Sequence, residues 1–217
     1  MIRLNRAFFV PTLKEAEKIF PGVSFYKNSY GLHFCDLKDG MIVVTGIGKS
    51  NATFAASVIF AEYSFEIVYF IGICGAYKSS CLKIGDLISV EYDYFADEGL
   101  LDESGNYRLI SEMGFPVVDN GKDFIIFDRA EGITGVSANT VSFLSGTDYI
   151  ADIYSIKTGA HIENMEGAAF GLVCEKFGQR AVHIRSVSNY CGNRDEQNWN
   201  IMKAFDSLYD YVKSHHT

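Results

Sequence analysis

Met41-Ile42-Val43-Val44-Thr45-Gly46-Ile47-Gly48-Lys49-Ser50 is a β-branched apolar run that ends in a glycine-rich turn. Short runs of this kind, bounded by turn residues, read as buried strands. An amphipathic stretch over 51–63 follows, and then a second apolar run over 67–71. Outward from this unit the pattern repeats. Further strands are predicted at 7–10, 87–92, 132–137 and 181–186, and helices at 13–20, 147–157, 167–177 and 198–213. Gly178 follows the fourth helix where a left-handed terminating residue is wanted. Alternating strands and helices specify an α/β layer sandwich with a largely parallel sheet. Ligands of such sheets sit beyond the carboxyl ends of the strands. That directs attention to 12–15, 72–77 and 188–193. The polar stretch 95–121 reads as an excursion or an antiparallel addition.

The chain has 217 residues, enough for one sizeable core, and a single domain over 1–217 is expected. A hydrophobic fraction of 48% against 21% charged excludes wholesale disorder. A formal charge of -8, with no basic stripe, argues against a nucleic-acid partner and for a small molecule. Cys35, Cys74, Cys81, Cys174 and Cys191 are scattered, with no paired spacing, so neither a disulfide framework nor a metal site is expected. Reduced cysteines and the lack of an N-terminal signal pattern point to the cytoplasm. The most apolar run, 67–77, is too short to span a bilayer, and no membrane association is expected.

Several motifs admit both a structural and a chemical reading. Gly46-Ile47-Gly48-Lys49-Ser50 is not a triphosphate loop, because Val43 stands where that motif needs glycine. Nor is it a dinucleotide fingerprint, since Asn51 holds the third glycine position; a tight strand-to-helix turn remains. Gly72-Ile73-Cys74-Gly75-Ala76 follows a buried strand, and its glycines allow a ligand close to the main chain or simply close packing. Glu163 and Glu166 flank Met165 where an extended segment enters an apolar helix. A carboxylate there can accept from both hydroxyls of a ribose, or merely complement the helix dipole. Glu15 lies three residues after Thr12, the spacing of a helix cap, and it could equally deprotonate a water. Arg185 near a strand end, and Asn189 beyond it, read either as site residues or as a surface cation and a turn residue.

Taken in order, these segments resemble the purine nucleoside phosphorylase superfamily, in its nucleosidase branch. The set comprises Glu15, Gly46-Ile47-Gly48-Lys49, Gly72-x-x-Gly75, Leu82-Lys83-Ile84-Gly85-Asp86, Met165-Glu166-Gly167 and Arg185-x-x-Ser188-Asn189. Within the branch, Asn164-Met165-Glu166-Gly167-Ala168-Ala169, Ser188-Asn189 and Gly192-x-Arg194-Asp195-x-x-x-Trp199 look most like the futalosine hydrolase family, which releases hypoxanthine in a menaquinone pathway. The resemblance implies a three-layer αβα sandwich around a central mixed, largely parallel sheet. It implies a small-molecule nucleoside substrate, no cofactor or metal, and a homodimer or higher homo-oligomer.

By the same resemblance Glu166 holds the ribose hydroxyls, Glu15 oriented by Arg185 activates water, and Asn189 reads the base. Cys74, Gly75, Phe143, Asn164, Met165 and Ser188 complete the substrate site. Val10-Pro11-Thr12 and Tyr69-Phe70-Ile71 replace the phosphate contacts of the phosphorylases, which makes water the nucleophile. Ile73 stands where adenine-specific relatives carry a serine near the water. Asn189 replaces the aspartate of the methylthioadenosine nucleosidases. A neutral amide can donate to a 6-oxo oxygen and accept from N7–H, so a 6-oxopurine is expected over adenine. Adenine release, phosphorolysis, and nucleoside binding without catalysis are the competing readings.

Overall fold

The computed structural model describes residues 2–119 and 121–216. In chain order its elements are β1 (Ile2–Val10), α1 (Leu13–Ile19), β2 (Tyr26–Lys27), β3 (His33–Leu37), β4 (Gly40–Val44), α2 (Lys49–Glu62) and β5 (Tyr63–Ala76). There follow β6 (Leu87–Phe95), β7 (Gly99–Leu101), β8 (Tyr107–Leu109), β9 (Phe124–Ile126), β10 (Thr134–Thr140) and α3 (Asp148–Thr158). The chain ends with β11 (Ile162–Asn164), α4 (Gly167–Lys176), β12 (Ala181–Tyr190) and α5 (Ile201–His216). All six predicted strands and all five predicted helices form. The stretch 95–121 carries the separate β7–β8 hairpin, an antiparallel addition as expected.

The main sheet runs β11-β10-β6-β12-β5-β1-β4-β3-β2. β1 pairs parallel with β4 and β5, β5 with β12, and β10 with β6 and β11. β12 with β6, and β3 with both its neighbours, are antiparallel, so the sheet is mixed and largely parallel. β5 is 14 residues long, and its last turn of chain pairs antiparallel with β11 through Gly75↔Glu163 and Ala76↔Ile162. The strands β5, β12, β6, β10 and β11 therefore close into a ring, which leaves no free edge at that end.

Period-two alternation sorts the side chains into two helical layers. Ala7 and Phe9 of β1, Met41 and Val43 of β4, and Val68 and Phe70 of β5 face α2 and α4. Phe8 and Val10, Ile42 and Val44, and Ile71 face α1 and α5. These are the three layers the resemblance implies. Gly178 adopts φ +63°, and Gln179 N–H returns to Cys174 O at 2.8 Å, so α4 ends as its sequence indicates. β3 was missed because five residues with two polar members carry little periodic signal; β4 supplies its pairing.

Phe170 of α4 is wholly buried, stacked on Phe70 at 4.6 Å and against Phe9 at 4.9 Å. Phe170→Ala is expected to cost about 4 kcal/mol, because the fixed sheet cannot collapse into the space. Urea denaturation should show this, with Tm lowered by roughly 10 °C; a loss below about 1 kcal/mol would contradict the packing described.

Candidate active site

A cleft of about 250 Å³ opens at the carboxyl ends of β1, β4, β5 and β12, where a doubly wound sheet places ligands. Pro11, Glu15, Glu166, Arg185 and Asn189 line it.

Glu15 is set by the start of α1. Thr12 is the N-cap, and its Oγ1 accepts from Glu15 N–H at 3.1 Å while donating to Glu15 Oε2 at 2.7 Å. The other oxygen, Oε1, accepts from Ile73 N–H at 3.2 Å. The capping and chemical readings thus coexist: the cap is Thr12, and it aims the carboxylate at the cleft. Burial pushes the Glu15 carboxyl up, against the opposing pull of the Thr12 hydroxyl, the Arg185 charge and Ile73 N–H. A buried carboxylate of raised basicity is suited to taking a proton from water. The expectation that Arg185 orients Glu15 is corrected here. The direct contacts come from Thr12 and Ile73, and Arg185 acts on Glu15 through its charge.

Glu166 is buried at the N-terminus of α4 but makes no side-chain cap. Asn164 does that instead, its Oδ1 accepting from Glu166 N–H at 3.0 Å and Gly167 N–H at 2.6 Å. The Glu166 carboxylate is thereby left to the cleft. Its Oε1 accepts from Gly48 N–H at 3.0 Å, and its Oε2 meets Arg185 Nη2 at 3.3 Å. Gly48 has φ +91°, which a side chain rarely permits, and this is what turns its N–H inward. The turn at 46–50 thus serves the site through its backbone. Lys49 pairs with Asp97 at 2.5 Å, and Asp97 also accepts from Ser142 N–H, strapping this turn to the opposite lip.

Arg185 is 1% exposed. Its Nε donates to His183 Nε2 at 2.7 Å, Nη1 to Ile73 O at 3.0 Å, and Nη2 to Asn164 Oδ1 and Glu166 Oε2 at 3.3 Å each. A Cβ on Gly72 would stand 2.6 Å from Nη1, so that glycine makes room for the guanidinium rather than for a ligand. Asn164 borders the cleft, yet its amide is committed inward, with Nδ2 donating to Asp93 Oδ2 at 2.9 Å. Expected as a substrate contact, it holds other residues in place. Met165 lines the cleft beside it.

The edge of the cleft at 188–189 comes from an irregularity in β12. Val187 pairs with Cys74 and Asn189 with Gly75, so Ser188 is an extra residue in the strand. Such a bulge re-aims the side chains around it. Ser188 Oγ stands 2.8 Å from Asn189 Oδ1 and 3.1 Å from Cys74 O. Asn189 Nδ2 donates to Tyr190 O at 3.0 Å, which fixes the sense of the amide, since only NH₂ can face a carbonyl. One N–H and one lone pair remain for a ligand. Cys74 contributes its backbone: burial pushes the thiol up to about 12, so it is no nucleophile. Gly75 lines the cleft next to it.

A sequence profile described as the phosphorylase superfamily matches residues 10–213. The chain belongs to the phosphorylase superfamily. A futalosine hydrolase of Thermus thermophilus is 32% identical over 181 residues, covering 78% of this chain and 77% of its own. A 5'-methylthioadenosine/S-adenosylhomocysteine nucleosidase of Shewanella halifaxensis is 26% identical, covering 72% and 70%. Among solved structures, a nucleosidase of the latter kind from Helicobacter pylori, with butyl-thio-DADMe-Immucillin-A, superposes with TM-score 0.76 at 20% identity over 99% of this chain and 97% of that one. The futalosine hydrolase of Helicobacter pylori gives 0.75 at 18% identity over 97% and 96%. Within the superfamily the chain falls among the nucleosidases, enzymes that hydrolyse N-glycosidic bonds.

Phe143 is 77% exposed and stands outside the cleft lining, whereas its neighbour Leu144 lines it. The loop is pinned on both sides of Phe143, by Ser142 N–H on Asp97 and by Ser145 N–H on Glu163 at 2.8 Å, and this turns Phe143 outward. Glu163 is likewise spent on that loop, accepting also from Ser145 Oγ at 2.6 Å. Gln197 was not foreseen. It is buried, its Nε2 donates to Ser145 O and Gly192 O, and its Oε1 accepts from Trp199 Nε1 at 2.8 Å, setting the indole at the cleft. Its only sequence signal is its place inside the Gly192–Trp199 motif. Among the described residues no helix is long and apolar enough to cross a membrane, and no group of three or more metal-ligating side chains is assembled.

Beneath the cleft, Asp93 of β6 is wholly buried, and burial pushes its carboxyl up to about 7 in spite of hydrogen bonds from Thr140 and Asn164. In the unfolded chain an aspartate titrates near pH 3.9. Below that pH the group is protonated in both states and its full stabilising contribution is present. As pH rises toward 7 the unfolded chain loses its proton first, so stability falls and then levels off. The expected loss is on the order of 4 kcal/mol. Asp93→Asn removes this dependence. The stability of the wild type relative to Asp93→Asn should therefore decline between pH 4 and 8 in urea titrations; a difference independent of pH would contradict it.

Proposed function

We propose that the protein hydrolyses the N-glycosidic bond of a 6-oxopurine nucleoside, most specifically futalosine, to hypoxanthine and dehypoxanthine futalosine, as a cytoplasmic enzyme of menaquinone biosynthesis. The observation that carries this reading is the Asn189 amide, fixed in sense by the Tyr190 carbonyl and sharing one cleft with Glu15 and Glu166. The relationship to a futalosine hydrolase at 32% identity supports it.

In this reading the C1′–N9 bond breaks with its electron pair passing to the purine, and positive charge develops on the ribose. Glu166 accepts from the 2′ and 3′ hydroxyls and, held by Arg185 and Gly48, offers fixed negative charge where the cation forms. Glu15 takes a proton from the attacking water, whose oxygen bonds to C1′. The departing purine gains a proton at N7 from solvent. Asn189 Oδ1 then accepts from N7–H and its Nδ2 donates to the 6-oxo oxygen. A 6-amino group would set donor against donor in a dry pocket, a mismatch worth up to roughly 10⁴-fold in discrimination. Pro11 and Thr12 offer no phosphate cradle, so water is the acceptor. Ile47, Phe143 and Leu144, exposed at or beside the cleft mouth, are the apolar side chains that a homodimer would cover.

Purified protein incubated with futalosine, inosine and methylthioadenosine should release hypoxanthine from futalosine, equally with and without phosphate. Adenine from methylthioadenosine with no hypoxanthine from futalosine would overturn the reading, and a phosphate requirement would make the enzyme a phosphorylase. Asn189→Asp should lower kcat/KM on the 6-oxopurine by about 10²-fold with the fold intact by circular dichroism. An unchanged value would remove Asn189 from base recognition.

A further inference from the structure

His183 stands two residues before Arg185 on β12 and borders no part of the cleft. It is wholly buried, with the rings of Phe70 and Phe127 at 5.3 and 5.0 Å. An aliphatic side chain would pack between those rings as well as an imidazole does, so packing alone gives no reason for a histidine here. The reason lies in its nitrogens. Nε2 accepts from Arg185 Nε at 2.7 Å. The arginine remains protonated, so Nε2 carries no hydrogen. Burial, joined by the Arg185 charge, holds the ring pKa well below its usual value, which keeps the ring neutral. Its single hydrogen therefore sits on Nδ1, which faces Asp93 Oδ2 at 3.4 Å without completing a hydrogen bond.

Asp93 is itself held, accepting from Thr140 Oγ1 at 2.8 Å and Asn164 Nδ2 at 2.9 Å. The far end of the Asn164 amide returns to Arg185 Nη2. Asp93, Asn164 and Arg185 thus form a hydrogen-bonded chain drawn from β6, β11 and β12; His183 bonds to Arg185 and lies against Asp93, and Glu166 is attached through Arg185. Gly167, the first residue of α4, completes the arrangement. A Cβ there would overlap the Asp93 carboxylate and the His183 ring, so the helix can close over the pair only because that residue is glycine.

We propose that His183, backed by Asp93, is a positioning residue that holds the Arg185 guanidinium, and through it the Glu166 carboxylate, in the orientation that meets the ribose. This rests on the nucleosidase reading of the cleft. Without the Nε2 acceptor, Arg185 Nε is left unpaired in a dry interior, and the guanidinium turns to find another partner. Glu166 then loses its alignment, while the base contacts at Ser188 and Asn189 stay in place. The effect falls on turnover rather than on substrate binding.

The test compares two variants with the wild type. His183→Phe keeps a planar ring and removes the acceptor; His183→Gln places an amide oxygen near the position of Nε2. With the nucleoside that the wild type hydrolyses, His183→Phe should lose about 10–100-fold in kcat, KM staying within about threefold, and His183→Gln should recover most of the loss. Full kcat in His183→Phe, or an equal loss in both variants, overturns the proposal. A second readout needs neither activity nor a variant: ¹⁵N NMR of the wild-type imidazole should show a neutral ring with hydrogen on Nδ1. Hydrogen on Nε2, or a charged ring at neutral pH, overturns the positioning even where hydrolysis is found. Failure of the wild type to hydrolyse any of the nucleosides sinks the nucleosidase reading, and the catalytic part of the proposal with it, whatever the ring tautomer.

Discussion

A guanidinium cannot be buried without partners for its N–H groups and its charge, and Arg185 is buried to 1% exposure. Its partners come from four separate places: His183 on its own strand, Ile73 O on β5, Asn164 on β11 and Glu166 at the head of α4. Those places must be brought together for the cation to be tolerated, and this requires β5 to run on and pair with β11. Ring closure of the sheet, the α4 N-terminus and the orientation of Glu166 are therefore aspects of one constraint. Removing Glu166 would leave an uncompensated charge, a loss of about 3–5 kcal/mol, whereas removing a neutral acceptor would leave a buried N–H unpaired, at about 1–3 kcal/mol.

The electrostatics of the cleft follow from the same centre. Glu15 and Glu166 share the cleft with one buried cation, and the charge of Glu166 adds to the burial that raises the Glu15 carboxyl. In the proposed reaction, these two carboxylates are poorly matched to a neutral ribose and well matched to one that has become cationic. That is differential stabilisation of a late, charged state, built from groups that need no rearrangement when the charge appears. The basicity of Glu15 and the fixed position of Glu166 are separate products of the same burial.

Much of this was legible in the residues because it depends on local pattern. Alternation of apolar runs exposed the strands of the three-layer fold, and the ordered motifs carried Glu15, Glu166, Arg185 and Asn189 to one cleft. What escaped was non-local or directional. β11 is three residues long and has no periodic signal of its own; its existence depends on two partner strands. That Asn164 caps α4, and so frees Glu166, depends on a side-chain direction that residue type does not reveal. The exposure of Phe143 depends on pins at Ser142 and Ser145, and the link from Arg185 to His183 rather than Glu15 depends on which N–H finds an acceptor first. Gln197 is marked in sequence only by its place in the Gly192–Trp199 motif, because the four partners of its side chain are backbone and side-chain atoms spread over 145–199.

The extra residue at Ser188 separates two jobs that a regular strand would have joined. Up to Val187 the strand is counted out residue for residue against β5, and every side chain there is buried. At the bulge that count shifts by one before pairing resumes at Asn189 and Gly75, and the Asn189 side chain meets only Ser188, the Tyr190 carbonyl and the cleft. Asparagine and aspartate have the same shape, so an exchange at this point alters the hydrogen-bonding face shown to a base without re-pairing a single strand. The scaffold can thus be inherited unchanged while its choice of purine drifts. In the proposed function, purine preference rests on one side chain beside a bulge, where an exchange leaves the strand pairing intact.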